Sequence, residues 1–517
     1  MTLQLPESWR QAGREFKNPR VISMLFLGFA AGIPLLLIFS SLSLWLREAG
    51  VERDAVTFFS WAALGYSFKF VWAPLIDRLP VPILTRQLGR RRAWLLIAQL
   101  AIVTAIVLMA LIDPAGGADS LTKMATAAVL LGFSAATQDI VIDAYRIESA
   151  PPRLQALLSS VYIAGYRTGM VVAGAGALTL ASVFGSELGA YNYAAWRATY
   201  LLMATTVLVG LITTLLIREP KVERAATHPA APTDYLRLLA VFLLTAAAFA
   251  TGFFLTAAPF TAAKLAAGSG AFTSLLLELL HFGLALAGAV LTGWLLVRVG
   301  AVNRLMMEDT WVAPVRDFFQ RYGLKTAALL LALIGLYRIS DIVLGVMTNV
   351  FYQDLGFTKP QIATAVQTFG VVVSIVGGVL GGLLATRYGV MRTLLLGAVV
   401  SAATNLIFVV FTQTGAQLGL LYFAVSADNL AAGFASAVFI AFLSSLTNVS
   451  FTAVQYAIFS SLMTLLPKLL GGYSGSIVEN VGYPSFFLLT TLIGIPVIGL
   501  VWLAGQWLAI RDDNGVI

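Results

Sequence analysis

Asp139 and Asp143 stand four residues apart and Arg146 follows three later, in a stretch, 121–149, that is otherwise mostly apolar. On a helix this spacing puts all three on one face. A carboxylate so placed either stays paired with Arg146 or Arg167, or exchanges a proton where low-dielectric surroundings favour its neutral form. Further ionisable groups interrupt other apolar stretches: Lys69, Arg167, Arg338, Asp341 and Asp428, the last followed by Asn429. Charges are costly in hydrocarbon and are expected to face a protein interior or a water-filled cavity. Lys69, Arg167 and Arg338 lie about 11–13 residues into their stretches, which at about 1.5 Å per residue is roughly 17–20 Å of depth. Three cations at one depth suit an anionic solute. Alternatively each is neutralised by a neighbouring acid, as Asp341 would neutralise Arg338.

Asp139 and Asp143 are the candidates for proton exchange. The candidates for solute binding are Lys69, Gln138, Tyr162, Tyr166, Arg167, Arg338, Asp341, Asp428 and Asn429. The pair Gln138–Asp139 and the pair Asp428–Asn429 occupy corresponding stretches of the two chain halves, which favours one shared central site. Other chemistry is excluded or weakly supported. There is no cysteine, and the histidines are His228 and His281 only. Glu278-x-x-His281 has the spacing of a carboxylate-bridged metal site, but such sites need a second pair, so a polar contact is expected and no metal. Asn448-Val-Ser450 matches a glycosylation sequon at a helix start and carries no weight. No Gly-Lys dipeptide occurs, so a Walker A loop is absent. That leaves a proton or solute gradient as the energy source, with no cofactor.

These groups need a membrane to position them. The 517 residues are 59% hydrophobic and 11% charged, with mean hydropathy +0.87, against about 25% charged in soluble proteins. A spanning helix needs about 20 mostly apolar residues. Fourteen such spans are predicted: 21–46, 56–77, 93–112, 121–149, 156–184, 196–217, 236–258, 272–297, 326–351, 361–386, 392–412, 417–445, 450–470 and 484–510. With the N-terminus in the cytoplasm, cytoplasmic connectors and tails hold 23 of the 33 Lys and Arg, the opposite side seven and the spans three. The positive-inside rule then puts both termini in the cytoplasm. The net charge of +8 is explained by these connectors, so no nucleic-acid partner is expected.

The chain repeats itself. LWLREAGVERDAV and VFYQDLGFTKPQI each end one span and lead directly into another, with Gly50 matching Gly356. A basic connector follows each second span: Asp77–Arg78…Arg90–Arg91–Arg92, and Arg387…Arg392. The expected fold is all-α and polytopic, two six-helix halves of major facilitator type plus two additional transmembrane helices. The segments are 1–20 (cytoplasmic), 21–217 (first half), 218–235 (linker), 236–297 (two extra helices), 298–325 (amphipathic connector on anionic headgroups), 326–510 (second half) and 511–517 (tail). Asp77, Arg78, Arg90 and Arg91 are candidates for a gating loop. Gly28-x-x-x-Gly32, Gly165-x-x-x-Gly169 and Gly377, Gly378, Gly381 and Gly382 mark close helix packing.

FKFVWAPLIDR (68–78), GRRRAWLL (89–96), ATQDIVIDAY (136–145), GYRTGM (165–170) and FIAFLSSLTNVSFTAVQYAIFSSL (439–462) together resemble the AmpG-type muropeptide permeases of the major facilitator superfamily. The resemblance implies proton-coupled import of GlcNAc-1,6-anhydroMurNAc peptides from periplasm to cytoplasm for peptidoglycan recycling, with consequences for β-lactamase induction. It implies a multi-pass protein of the bacterial inner membrane, a monomer among lipids. It is compatible with two helices beyond twelve. The stretch LPVPILTRQL is an insertion relative to the usual facilitator loop. Another anionic solute, such as acetyl-CoA or a peptide, is the alternative substrate. An embedded enzyme or receptor would need a nucleophile and base in a cavity, or a large soluble domain; with no cysteine, two poorly placed histidines and no long soluble stretch, little supports it.

Overall fold

The computed structural model describes residues 14–52, 59, 64–187, 189–222, 231–266, 271–471 and 473–513. In chain order the helices are α1 (Pro19–Glu48), α2 (64–78), α3 (Arg90–Ala110), α4 (Ala118–Ser149), α5 (Pro152–Val183), α6 (Tyr193–Leu216), α7 (Pro232–Ala266), α8 (Ala271–Arg298), α9 (Arg304–Asp354), α10 (Ala363–Tyr388), α11 (Val390–Phe411), α12 (Leu418–Leu446), α13 (Thr452–Gly471) and α14 (Ser474–Asp513). Among the described residues there is no strand, only a bridge between Glu187 and Ala190. Thirteen helices among the described residues are long and apolar enough to cross a bilayer. The predicted second span, 56–77, begins outside the described residues, and α2 is its visible part.

Glycines with left-handed backbone set several boundaries. Gly50 (φ 82°) ends α1 and Gly356 (φ 100°) ends α9. Each closes the same C-terminal motif: Val51 N–H donates to Leu46 O at 2.9 Å and Phe357 N–H to Tyr352 O at 3.1 Å, with Val51 and Phe357 buried behind. Only glycine takes that conformation without strain, so the sequence repeat is a repeat of backbone geometry. Gly323 (φ 67°) separates the connector part of α9 from its spanning part, and Gly482 (φ 76°) does the same near the start of α14.

The chain divides into two compact units: Asp77–Leu79 with Arg224–Asp317, and the remainder. In the smaller unit α7 packs on α8. His281 is sandwiched between Phe253 and Phe260, with ring centroids 4.2 and 4.5 Å away, and its Nε2 lies 2.9 Å from Phe253 O. Glu278 pairs instead with Lys264 at 2.7 Å, so the Glu278–His281 spacing serves two separate contacts. Most large apolar side chains of these helices, Phe254 and Leu255 among them, are exposed, as suits a lipid-facing surface. Trp311 of the connector stacks on Phe242 at 6.5 Å.

In the larger unit one apolar core gathers residues between Ile33 and Val207. A second gathers residues from Phe318 to Ala504, joined by Ile147 and Ala156 of α4 and α5. Phe318 packs on Tyr322 and Phe459 at 5.1 and 5.2 Å, so this connector aromatic is spent on protein rather than lipid. The glycine pairs sit where backbones cross. A Cβ on Gly28 or Gly32 would overlap the α5 carbonyls of Tyr162 or Tyr166, and one on Gly165 or Gly169 the α1 carbonyls of Leu25 or Phe29. Small residues here let α1 and α5 meet backbone to backbone. At this crossing α1 and α5 each widen to a π turn, Leu37–Ser41 and Val172–Gly176. A π turn loosens the carbonyl ladder, and Ser41 Oγ donates to Ala173 O at 2.8 Å.

Candidate functional site

The face of α4 predicted from spacing exists. Asp143 is held by two cations: Lys69 Nζ lies 3.5 Å from Oδ2 and Arg146 Nη2 3.3 Å from Oδ1. Lys69 comes from α2 at a tight 3-10 turn, Lys69–Val71, that interrupts the helix. Arg146 is fully buried. Its Nη1 donates to Ser159 Oγ (α5) at 2.8 Å and to Ser444 Oγ (α12) at 2.7 Å, and its guanidinium lies 5.1 Å from the centre of the Tyr456 ring (α13). One arginine therefore ties helices of the first half to helices of the second. Asp139, one turn back, is buried and its Oδ1 accepts no hydrogen bond. Lys69, Asp143 and Tyr162 are its electrostatic neighbours. Two acids thus face two cations, and Asp143 takes both close contacts.

A second cluster involves α5, α9 and α12. Arg338 Nε lies 2.7 Å from Asp341 Oδ2, and Nη1 donates to Ser436 Oγ at 2.5 Å. Arg338 stands where α9 is broken, between Leu336 and Ile339. Irregular backbone inside a span is tolerated where it is buried in protein or lines a cavity. Arg167 makes no ion pair or hydrogen bond with the described residues, and its electrostatic neighbours are Arg338, Tyr166, Asp341 and Asp428. Asp428 likewise makes no hydrogen bond or ion pair among them, and Asp341, Arg338 and Arg167 act on it. Tyr166 links the clusters, since both Asp139 and Arg167 act on it.

The three similar depths therefore resolve into two groups. Lys69 joins Asp139 and Asp143, whereas Arg167 and Arg338 join Asp341 and Asp428. Lys69 and Arg338 each form the ion pair with an acid that the sequence left open, and Arg167 forms none with the described residues. Tyr162 and Tyr166 neighbour each other at 6.1 Å. Asn429 spends its amide on Val425 O at 3.0 Å. Gln138 is fully buried and neither amide atom has a hydrogen-bond partner among the described residues. The sequence reading missed Ser159, Ser436, Ser444 and Tyr456. Isolated hydroxyls carry no periodic signal, although Ser444 and Tyr456 lie within the 439–462 stretch.

The candidate gating residues divide. Asp77 ends α2 and Arg90 opens α3. Arg78 lies 3.8 Å from Asp309. Arg91 is fully buried and pairs with Glu148 at 3.0 and 2.5 Å. The Glu219 carboxylate accepts from the N–H groups of Arg91 and Arg92 at 2.8 and 3.1 Å, capping α3 where negative charge is favoured. A carboxylate buried against a buried guanidinium cannot be removed cheaply. Glu148→Gln is expected to destabilise the fold by about 3–5 kcal/mol, read as a lowered Tm in detergent. An unchanged Tm would make the pair dispensable. Asn448 Oδ1 accepts from Ser450 N–H at 2.9 Å, so the sequon forms a helix-entry cap.

Comparison with known proteins follows the same lines. The Major Facilitator Superfamily sequence model matches residues 21–309. The anhydromuropeptide permease of Escherichia coli K12 is 29% identical over 97% of this chain and 83% of its own length. A Rickettsia conorii protein named "Putative transporter AmpG 4" is 27% identical over 93% of this chain and 95% of its own. Among solved structures, the proton:xylose symporter XylE superposes with TM-score 0.59 at 13% identity, covering 95% of this chain and 96% of that one. The fucose:proton symporter FucP of E. coli gives TM-score 0.57 at 11% identity, covering 94% and 97%. At such identities the structural likeness speaks for fold alone. The chain belongs to the Major Facilitator Superfamily, a multi-pass membrane transporter rather than an enzyme, and is similar over nearly its whole length to AmpG-type permeases.

Proposed function

We propose that this transporter imports GlcNAc-1,6-anhydroMurNAc peptides from periplasm to cytoplasm across the bacterial inner membrane, driven by protons and serving peptidoglycan recycling, with β-lactamase induction downstream. The observation that carries the substrate reading is the similarity to the E. coli anhydromuropeptide permease across 97% of the chain. The geometry supports a coupled mechanism. Asp139 and Asp143 of α4 and Arg167 of α5 are all neighbours of Tyr166. A substrate carboxylate at Arg167 and a proton on Asp139 or Asp143 then act on one polar region between the two halves. Arg146, anchored to Asp143 and reaching Ser444 and Tyr456, carries a change at α4 across to α12 and α13.

The 6+2+6 arrangement belongs to this proposal: six helices at 21–217, two at 236–297 and six at 326–510, both termini cytoplasmic by charge bias. The protein works as a monomer, and the connector at 298–325 lies along the cytoplasmic headgroups. Uptake of labelled anhydromuropeptide into energised vesicles tests the substrate. Accumulation that collapses with a protonophore is the expected result. Accumulation of acetyl-CoA or a plain peptide in its place would overturn it.

A further inference from the structure

Three helix ends of the second half enclose a cleft of about 170 Å³, lined by Phe351, Asp354 and Leu355 of α9, Thr412 after α11, and Tyr483 and Pro484 of α14. Two helices finish here, since Leu355 is the C-cap of α9 and Thr412 that of α11. Helix C-termini carry partial negative charge and favour cations. The polar side chains add acceptors only. Tyr483 donates its hydroxyl proton to Asp354 Oδ2 at 2.5 Å, and Thr412 Oγ1 donates its own to Val409 O at 2.7 Å. Both hydroxyl oxygens keep lone pairs to offer, and Pro484 has no N–H. The Tyr483 ring is fixed against Phe351 and Phe487, with centroids 5.0 and 6.0 Å away. A carboxylate, two hydroxyls whose protons are spent and an aromatic wall suit a cation. A Ca²⁺ or Mg²⁺ ion takes about six oxygens or more, beyond what these three polar side chains present. A primary ammonium brings three donors and no acceptor, and it is attracted to an aromatic face.

The surface beside the cleft says where that ammonium comes from. One turn deeper than Asp354, α9 exposes Val350; one turn deeper than Pro484, α14 exposes Leu488; and α11 exposes Val410 just before Thr412. In a multi-pass membrane protein such exposed apolar faces meet acyl chains. The cleft therefore sits where the apolar belt ends and headgroups begin. We propose that it holds the primary ammonium headgroup of a phospholipid, with Asp354 as counter-ion and Thr412 and Tyr483 as further acceptors. A trimethylated headgroup has no N–H to donate, and a glycerol headgroup has no positive charge. One bound lipid would touch the ends of three helices of the second half. The site is separate from the polar clusters of α4 and α9 and does not depend on which solute is carried.

The test mixes the full-length protein in detergent micelles with equal amounts of phosphatidylethanolamine, phosphatidylcholine and phosphatidylglycerol, and counts the retained lipids by native mass spectrometry. Wild type is expected to retain phosphatidylethanolamine roughly fivefold over either other lipid, as suits a partly exposed ion pair with a ring contact. Asp354→Asn should bring the three lipids to parity. Tyr483→Phe, which keeps the ring packing, should lower the preference without abolishing it. Parity in wild type, or an unchanged preference in Asp354→Asn, overturns the site. Displacement of the lipid by an equal concentration of glycerophosphoethanolamine or of a free-amine peptide overturns the lipid as occupant. Should Asp354→Asn fail to fold, wild type decides alone. A water-soluble carbodiimide is then expected to join the phosphatidylethanolamine amine to the Asp354 carboxyl as an amide, seen in the digested peptide. Lipid adducts at other carboxylates but none at Asp354 would overturn the proposal.

Discussion

Asp139→Asn protein is expected to fold, bind and exchange substrate, and yet fail to accumulate it against a gradient. A pH step of one unit supplies about 1.4 kcal/mol per proton, enough for roughly tenfold accumulation by a one-proton symporter. That factor should fall to one. The two acids of α4 differ in what they hold. Asp143 engages Lys69 and Arg146 with separate oxygens, whereas Asp139 Oδ1 is buried without a hydrogen bond. A proton on Asp139 neutralises a carboxylate that makes no ion pair with the described residues and has Tyr162 as its hydrogen-bond neighbour. A proton on Asp143 would loosen two buried cations, one of them tied to Ser444 across the halves. Asp143→Asn should therefore act first on stability, by about 3–5 kcal/mol for a broken buried pair, and Asp139→Asn on coupling. Counterflow and protonophore-sensitive uptake, measured in the same proteoliposomes, separate the two. Unchanged uphill accumulation in both variants would remove α4 from the proton pathway.

Much of the scaffold is legible in the sequence because bilayer thickness and backbone chemistry both leave local marks. Gly50 and Gly356 align as letters and then close matching helix ends. The break at Gly323 falls close to the predicted entry of the ninth span, and the break at Gly482 close to that of the fourteenth. Arg338 and Asp341 could be paired from their spacing alone, since three residues is one helical step. What depends on azimuth between distant helices was not legible. Depth along a helix fixes height in the membrane but not the direction a side chain faces. Lys69 thus turned to Asp143 on α4, while Arg167 turned to the α9 and α12 cluster. Arg146 and Ser444 lie 298 positions apart, and nothing local in either sequence requires the other. The connector shows the same limit: its aromatics suit headgroups and neighbouring protein equally well, and Trp311 and Phe318 took protein.

Gly382→Val is expected to stop transport in a protein that still folds, and Gly377→Val to unfold a protein whose surviving fraction still transports. The two glycines lie on different faces of α10, five residues apart. A Cβ on Gly377 would overlap Leu430 O of α12, and one on Gly381 would stand 2.7 Å from Phe434 O of the same helix. Those contacts lie within the second half, so they are expected to persist when the halves part. A Cβ on Gly382 would stand 2.6 Å from Ser160 Cβ and 3.0 Å from Ala156 O, both on α5 of the first half. That contact joins the two halves and is the one expected to open when they part. Overpacking costs about 1–3 kcal/mol, and charged to one of two conformations it shifts their ratio by roughly 5–150-fold. The chain has no cysteine, so a single Ile163→Cys reporter can be placed beside the seam, where Ile163 Cγ2 lies 3.9 Å from the Cβ position of Gly378. A water-soluble maleimide should label that reporter at least fivefold faster with Gly382→Val present, and no faster with Gly377→Val, while Tm falls for Gly377→Val alone. Equal labelling in a folded, inactive Gly382→Val protein would mean that α5 and α10 do not part during the cycle, and that the glycine pair serves packing only.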